Sequence, residues 1–357
     1  MYQTIKNKLS LNAIKILLCI ITWFACSAGL SSINKILFGA KYNNFKYPLL
    51  SSSFHACFHF FLSYFFINYL QPSQFPNFHN TGTEFNDKKV VSFFEKDFWL
   101  KVAPCAIAGG LEISTCNAAL MFVTLSFYTV IKSTVPIWVL LFSFILKLEK
   151  VRVQLILIIV LICVGVALAS INNTTFNLLG FILILVGSIS SGIKWCLTQI
   201  LLQNSELGLD HPIITLYKVA PVMSVFMFIC SLFFEDILNL PSHMFATNSH
   251  TYLPSWTLVL IGGLIAFLMT LAEFGLIQLT STLTMSITGI SKEVMMIAIS
   301  VLLFKDTLSL LNYFGLIISI IGIGWYNYFK YQQKKANYQP LQNDNNEEGV
   351  IHPHLHQ

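Results

Sequence analysis

Apolar residues in this 357-residue chain come in runs of about twenty, separated by short polar joints. A helix rises about 1.5 Å per residue, so about 20 apolar residues cross the hydrocarbon core of a bilayer. The runs cover 15–39, 48–70, 99–122, 124–147, 151–171, 178–202, 211–234, 255–279, 282–304 and 308–329, and predict ten membrane-spanning helices. Met121 to Thr124 joins the third and fourth so closely that a tight helical hairpin is expected. The one long inner loop, Gln71 to Phe98, carries Pro72, Pro76, Gly82 and mixed charge. Residues 1–14 read as a polar N-terminal segment. Residues 330–357, rich in Asn, Gln and charge, read as a disordered tail. Little chain is left for a separate soluble domain.

The pattern repeats. With Glu149 placed on Asp306, the run Leu141 to Glu149 lies on Ala298 to Asp306, Ser143 meets Ser300, and Gly165 meets Gly322. Spans four and five then match spans nine and ten. Five spans per half is an odd number, so the second copy must lie upside down. The expectation is an all-α membrane protein of two inverted five-helix repeats, 15–171 and 178–329. Such repeats place a binding site near the midplane, where the halves meet.

Composition agrees with the pattern. Hydrophobic residues make up 55% of the chain and charged residues 10%, against about 25% charged in a soluble domain. The net charge of +5 reports topology rather than nucleic-acid binding. With both termini in the cytosol, thirteen basic residues fall on that side and four (Lys35, Lys41, Lys46, Lys305) on the other. The first run, Ile16 to Gly39, reads as a signal anchor. All eight cysteines fall in apolar runs with no Cys-x-x-Cys spacing, which suits small buried side chains.

The remaining basic residues, Lys132, Lys194, Lys218 and Lys292, lie inside spans, as do Glu112, Glu273 and Glu293. A charge at a helix centre costs roughly 2.5–3.5 kcal/mol, so it belongs with a partner or a polar cavity. Cations outnumber anions, which points to an anionic solute. On the repeat alignment Lys292 falls three residues from the counterpart of Lys132, close to one helical turn. Tyr128, Trp195 and Tyr217 lie near these lysines in sequence and have faces that could stack a base or sugar. Glu293 follows Lys292 but projects about 100° around the helix. It suits a sugar hydroxyl, another lysine or a proton. Pairing with a lysine is the plainer role for Glu112 and Glu273.

His55 and His59 are spaced i, i+4, with no third ligand of like kind nearby, so packing is favoured over a metal site. No aspartate falls within a span, and neither His-x-x-x-x-Asp nor a nucleophile elbow occurs. An enzyme is not expected, and no cofactor or metal is implied. Asn172 to Thr175 holds overlapping glycosylation sequons in a very short joint, and Tyr338 to Leu341 has the form of a sorting signal.

Several stretches resemble the triose-phosphate and nucleotide-sugar translocator family of the drug/metabolite transporter superfamily. Within it they are nearest the C2-like members of the solute carrier 35 branch, related to GDP-fucose transporters. They are Ser31 to Leu37 with its Asn34-Lys35, Phe45 to Leu49, Leu125 to Pro136, Gly192 to Gln199, and Ser281 to Glu293. The resemblance covers roughly 12–330. It implies ten helices in two inverted halves, cytosolic termini, and antiport through a central cavity. It also implies that Lys292 binds substrate phosphate. Plastid members follow that lysine with arginine, where Glu293 stands here, which disfavours small sugar phosphates. The Phe-Tyr-Asn-Asn motif of GDP-mannose transporters meets Leu216 to Val219 here, which removes that route to guanine recognition.

The expected function is antiport of a nucleotide sugar against a nucleoside monophosphate in the Golgi membrane, with the endoplasmic reticulum as the alternative. The substrate residues would be Lys292, Lys194, Lys218, Lys132, Tyr128, Tyr217 and Glu293. The expected partners are a phosphorylated small molecule, membrane lipid and at most a second copy of the chain. A proton-coupled exporter, or a regulatory protein that kept the fold, are the alternatives.

Overall fold

The computed structural model of the chain describes residues 2–38, 45–70, 90–119, 122–123, 128, 131–132, 134–150, 152–170, 177–203, 207–237, 254–292 and 309–347. Among them the regular structure is helical and no strand occurs. In chain order the helices are α1 (Tyr2–Phe38), α2 (Pro48–Phe65), α3 (Ala103–Ala119), α4 (Val135–Ile145), α5 (Val153–Ser170), α6 (Leu178–Gln203), α7 (Pro212–Phe234), α8 (Ser255–Leu279), α9 (282–292) and α10 (Leu310–Glu347). A π-helical turn, Phe66–Leu70, extends α2, and another, Phe98–Val102, leads into α3. Among the described residues, five stretches are long and apolar enough to cross a membrane: Asn12–Phe38, Pro48–Tyr69, Leu178–Gln203, Pro212–Phe234 and Ser255–Leu279. The chain is a multi-pass membrane protein.

The helix ends follow local chemistry. Pro48, Pro136 and Pro212 stand in the first turns of α2, α4 and α7, where a missing N–H leaves no bond unmade and φ is already helical. Asn177 opens α6, its Oδ1 accepting from the Gly180 amide at 2.9 Å. The start of α2 is capped from another helix. Glu235, just past the end of α7, accepts from the Leu49 amide at 2.6 Å and the Leu50 amide at 2.9 Å. A carboxylate there also complements the positive end of the helix dipole. At the end of α4, Lys147 turns into the left-handed region at φ 57°. Leu148 N then donates to the Ser143 carbonyl at 2.8 Å and Lys147 N to that of Phe144 at 3.1 Å. This is a Schellman closure made without glycine.

One segment differs from the sequence expectation. α10 runs as helix to Glu347, past residue 330, where a disordered tail was expected. The stretch Gln332-Gln333-Lys334-Lys335-Ala336 is built of good helix formers. α4 is continuous from Val135, and residues 124–127, 129–130 and 133 of the expected span lie outside the described residues. Glu293, the run 298–306 used for the repeat alignment, the sequons at 172–175 and the terminal histidines lie outside the described residues.

The helices pack in a definite pattern: α5 on α10, α2 on α7, α3 on α6, α1 on α8, α4 on α6, and α7 and α8 each against one of α3 and α2. Glycine sets the closest seams. A Cβ at Gly165 would lie 2.6 Å from the Ser319 amide nitrogen, and one at Gly322 would lie 2.5 Å from a methylene carbon of Ile162. Thus the two glycines superposed by the repeat alignment share the α5–α10 seam. Small residues let helices approach where lipid supplies no hydrophobic drive for association. Large apolar side chains such as Leu17, Phe61, Leu157, Phe233, Leu264 and Phe314 are exposed, as a lipid-facing surface requires.

Candidate functional site

Three of the four intramembrane lysines lie together in the interior. Glu112, in the middle of α3, holds two of them. Its Oε1 accepts from Lys132 Nζ at 2.9 Å, and its Oε2 is 2.5 Å from Lys194 Nζ. Lys132 precedes α4 and Lys194 lies on α6, so one carboxylate ties three elements. Each lysine has a second, neutral contact. Lys132 Nζ lies 3.2 Å from Cys116 Sγ, one turn along α3, and the Lys194 ammonium sits 3.8 Å from the centre of the Trp195 ring. Tyr128 lies beside Lys132 and Cys116.

Glycines make this contact possible. A Cβ at Gly109 would lie 3.2 Å from Cδ of Lys194, and one at Gly187 would lie 2.6 Å from Cys116 Sγ. The lysine stem therefore runs across bare backbone to reach the carboxylate.

The other half presents similar groups. Glu273 on α8 accepts from the Trp23 indole N–H of α1 at 2.7 Å. Lys292 on α9 donates to Ser27 Oγ of α1 at 2.9 Å, with its ammonium 5.3 Å from the Trp23 ring centre. Lys194, Lys292 and Glu112 all lie within electrostatic range of Glu273. The charged groups of both halves thus face a common interior, with Trp195 and Trp23 beside two of the ammonium groups.

Lys218 stands elsewhere. It is 5% exposed on α7, its ammonium 4.0 Å from the centre of the Phe93 ring and 5.4 Å from that of Tyr217. Tyr217 stacks on Phe60 at 4.9 Å and on Tyr64 at 6.3 Å. This is a packed aromatic cluster. His55 Nε2 lies 3.0 Å from the Val259 carbonyl oxygen, and His59 packs on the Phe267 ring at 5.9 Å. Sequence pattern alone had not drawn in Trp23, Ser27 or Cys116. Their only early signal is position on spans that come to face the lysines.

A family model described as the Triose-phosphate Transporter family matches residues 14–327, which is most of the chain. The chain belongs to this family. A probable sugar phosphate/phosphate translocator of Arabidopsis thaliana is 30% identical over 90% of this chain and 75% of its own length. A Saccharomyces cerevisiae protein described as a candidate nucleotide-sugar transporter is 28% identical over 87% of this chain and 83% of its own. Another probable sugar phosphate/phosphate translocator of Arabidopsis thaliana is 28% identical over 88% of this chain. One solved crystal structure superposes with a TM-score of 0.61 over 91% of this chain and 99% of its own, at 11% identity, a likeness of fold alone. The chain is a membrane protein of a transporter family, as the sequence resemblance implied.

Proposed function

We propose that this carrier exchanges phosphorylated anions across an organellar membrane by alternating access, taking a nucleotide sugar in one direction and a nucleoside monophosphate in the other. The observation that carries the reading is the gathering of Lys132, Lys194 and Lys292 from α4's approach, α6 and α9 into one half-buried interior around Glu112 and Glu273. Ammonium groups are compact charges suited to phosphate oxygens, and in a low-dielectric interior their attraction for an anion is strong.

The packing supports the inverted-repeat reading. Renumber each helix by five, so that α1 exchanges with α6 and α5 with α10. The pairs α5–α10 and α2–α7 then map onto themselves, α3–α6 maps onto α8–α1, and α3–α7 onto α8–α2. The charged residues fall within about one turn of correspondence: on the Glu149–Asp306 alignment Glu273 on α8 lies four residues beyond the counterpart of Glu112, and Lys292 on α9 three beyond that of Lys132. Inverted halves give two related conformations, each open to one side. We read the chain as ten spans with cytosolic termini.

In this reading Lys292 and Lys194 hold the phosphate, Lys132 adds charge, and the rings of Trp195, Trp23 and Tyr128 bound the sugar or base. Tyr217, Lys218 and Glu293 remain candidates for the rest of the substrate. A nucleotide-sugar cargo goes with a Golgi or related endomembrane. A second reading, exchange of a sugar phosphate for inorganic phosphate, is favoured by the descriptions of the two Arabidopsis relatives.

The test is Lys292→Gln, with melting temperature and liposome transport measured on the same preparation. Loss of one charged partner of a bound anion typically costs about 2–5 kcal/mol, so transport efficiency should fall more than about tenfold while the protein stays folded. Normal transport in a folded variant would overturn the assignment. A large fall in melting temperature would show a structural lysine instead.

A further inference from the structure

Glu112 is the one acid among the described site residues whose carboxylate touches two lysines, and its arrangement resembles that of a ligand. Its two oxygens are divided between two ammonium groups on different elements, Oε1 to Lys132 at 2.9 Å and Oε2 to Lys194 at 2.5 Å. A phosphate held by two lysines would divide its oxygens in the same way. The carboxylate hangs from α3 alone, while the cations come from the approach to α4 and from α6. A purely structural ion pair has no alternative partners in reserve. Here both lysines do. Lys132 is within 3.2 Å of Cys116 Sγ, and Lys194 lies over the Trp195 ring. Either lysine keeps a contact when the carboxylate leaves.

We propose that Glu112 is a tethered counter-anion: in the unloaded carrier its carboxylate occupies the position between Lys132 and Lys194 that the substrate's phosphate takes, and it leaves both lysines when the phosphate binds. The inference rests on the anion-exchange reading above and adds the residue that competes with the cargo.

Two consequences follow from electrostatics. An internal competitor lowers the apparent affinity for phosphate, since binding must first break two buried ion pairs. It also neutralises the empty interior. Two unpaired ammonium groups in a low-dielectric site are costly, so the unloaded carrier reorients more easily with Glu112 in place. Glu112 therefore permits a slow return without cargo, and its loss makes exchange strictly obligatory. Glu273 shares the same interior but is held by the Trp23 indole and is not assigned this role.

The experiment uses the full-length carrier and its Glu112→Gln and Glu112→Asp variants in detergent and in liposomes. Melting temperature is measured against increasing inorganic phosphate and nucleoside monophosphate. Net uptake into empty liposomes is compared with uptake into monophosphate-loaded ones. Glu112→Gln should be less stable without anion and reach half-maximal stabilisation at an anion concentration about tenfold or more below that of the native carrier, as removal of a close charged competitor implies. Its ratio of exchange to net uptake should rise. If Glu112→Gln does not fold, Glu112→Asp decides, because a shorter acid keeps the charge but withdraws it from the two lysines. Its half-maximal concentration should also fall. If native carrier and folded variant are stabilised at the same anion concentration, the counter-anion role is overturned while the anion site stands. If no phosphorylated probe stabilises either folded protein, the exchange reading fails and this inference with it.

Discussion

At Gly192, on α6 two residues before Lys194, an added Cβ would lie 2.8 Å from Cβ of Trp138 and 2.9 Å from its carbonyl carbon. Backbone cannot step aside as a flexible side chain can, so α4 and α6 would have to part. Gly324 on α10 has nothing within 4 Å of the same position. The two glycines look equivalent in the sequence. Gly192→Ala should cost about 1–3 kcal/mol by overpacking, seen as a lower melting temperature with transport reduced as well. Gly324→Ala should leave the melting temperature unchanged or raise it slightly, since alanine is the better helix former by up to about 1 kcal/mol. Equal effects at the two positions would contradict the seam. The lysines, by contrast, were legible as buried charges because a charge in an apolar run is conspicuous. Their partners were not. Trp23 and Glu273 are 250 positions apart, and Ser27 and Lys292 are 265 apart. Only the fold brings them together.

Most element boundaries were legible, because proline and capping residues act locally. The expected spans 178–202, 211–234 and 255–279 match α6, α7 and α8 to within a residue or so. What pattern could not give is an end fixed from elsewhere, such as the Glu235 carboxylate on the start of α2. Lys147 hides in the same way, since a left-handed cap is usually glycine. At the N-cap position just before the crossing stretch Pro212–Phe234, His211 offers a pH test. It caps α7, its Nδ1 accepting from the Ile213 amide at 3.3 Å, and burial holds its pKa below the ordinary 6.5 against the opposing pull of Asp210. The folded state therefore disfavours the protonated ring. This contribution to stability is present above pH 6.5 and is lost as pH falls below it toward the folded-state pKa. Melting temperature should fall between about pH 7 and pH 5, and His211→Asn, a neutral capping residue, should flatten part of that slope. An unchanged slope in the variant would show that other groups set it.

For the whole molecule, the recurrence of apolar runs about twenty residues long points to the membrane class, and the family match agrees with it. The proposal of inverted halves rests on helix pairings that exchange between them and on acids and lysines that fall within about one turn of correspondence. The exchange we propose rests on the gathered lysines, whose charges are costly to turn over without an anion to pair them. The most direct measurement loads liposomes bearing the purified carrier with nucleoside monophosphate, or leaves them empty, and follows uptake of an external nucleotide sugar with the pH equal on both sides. Uptake into loaded liposomes should exceed uptake into empty ones about tenfold or more, and an imposed proton gradient should not substitute for the internal anion. Equal uptake with and without internal anion, or uptake that follows the proton gradient alone, would contradict anion exchange at the buried lysines.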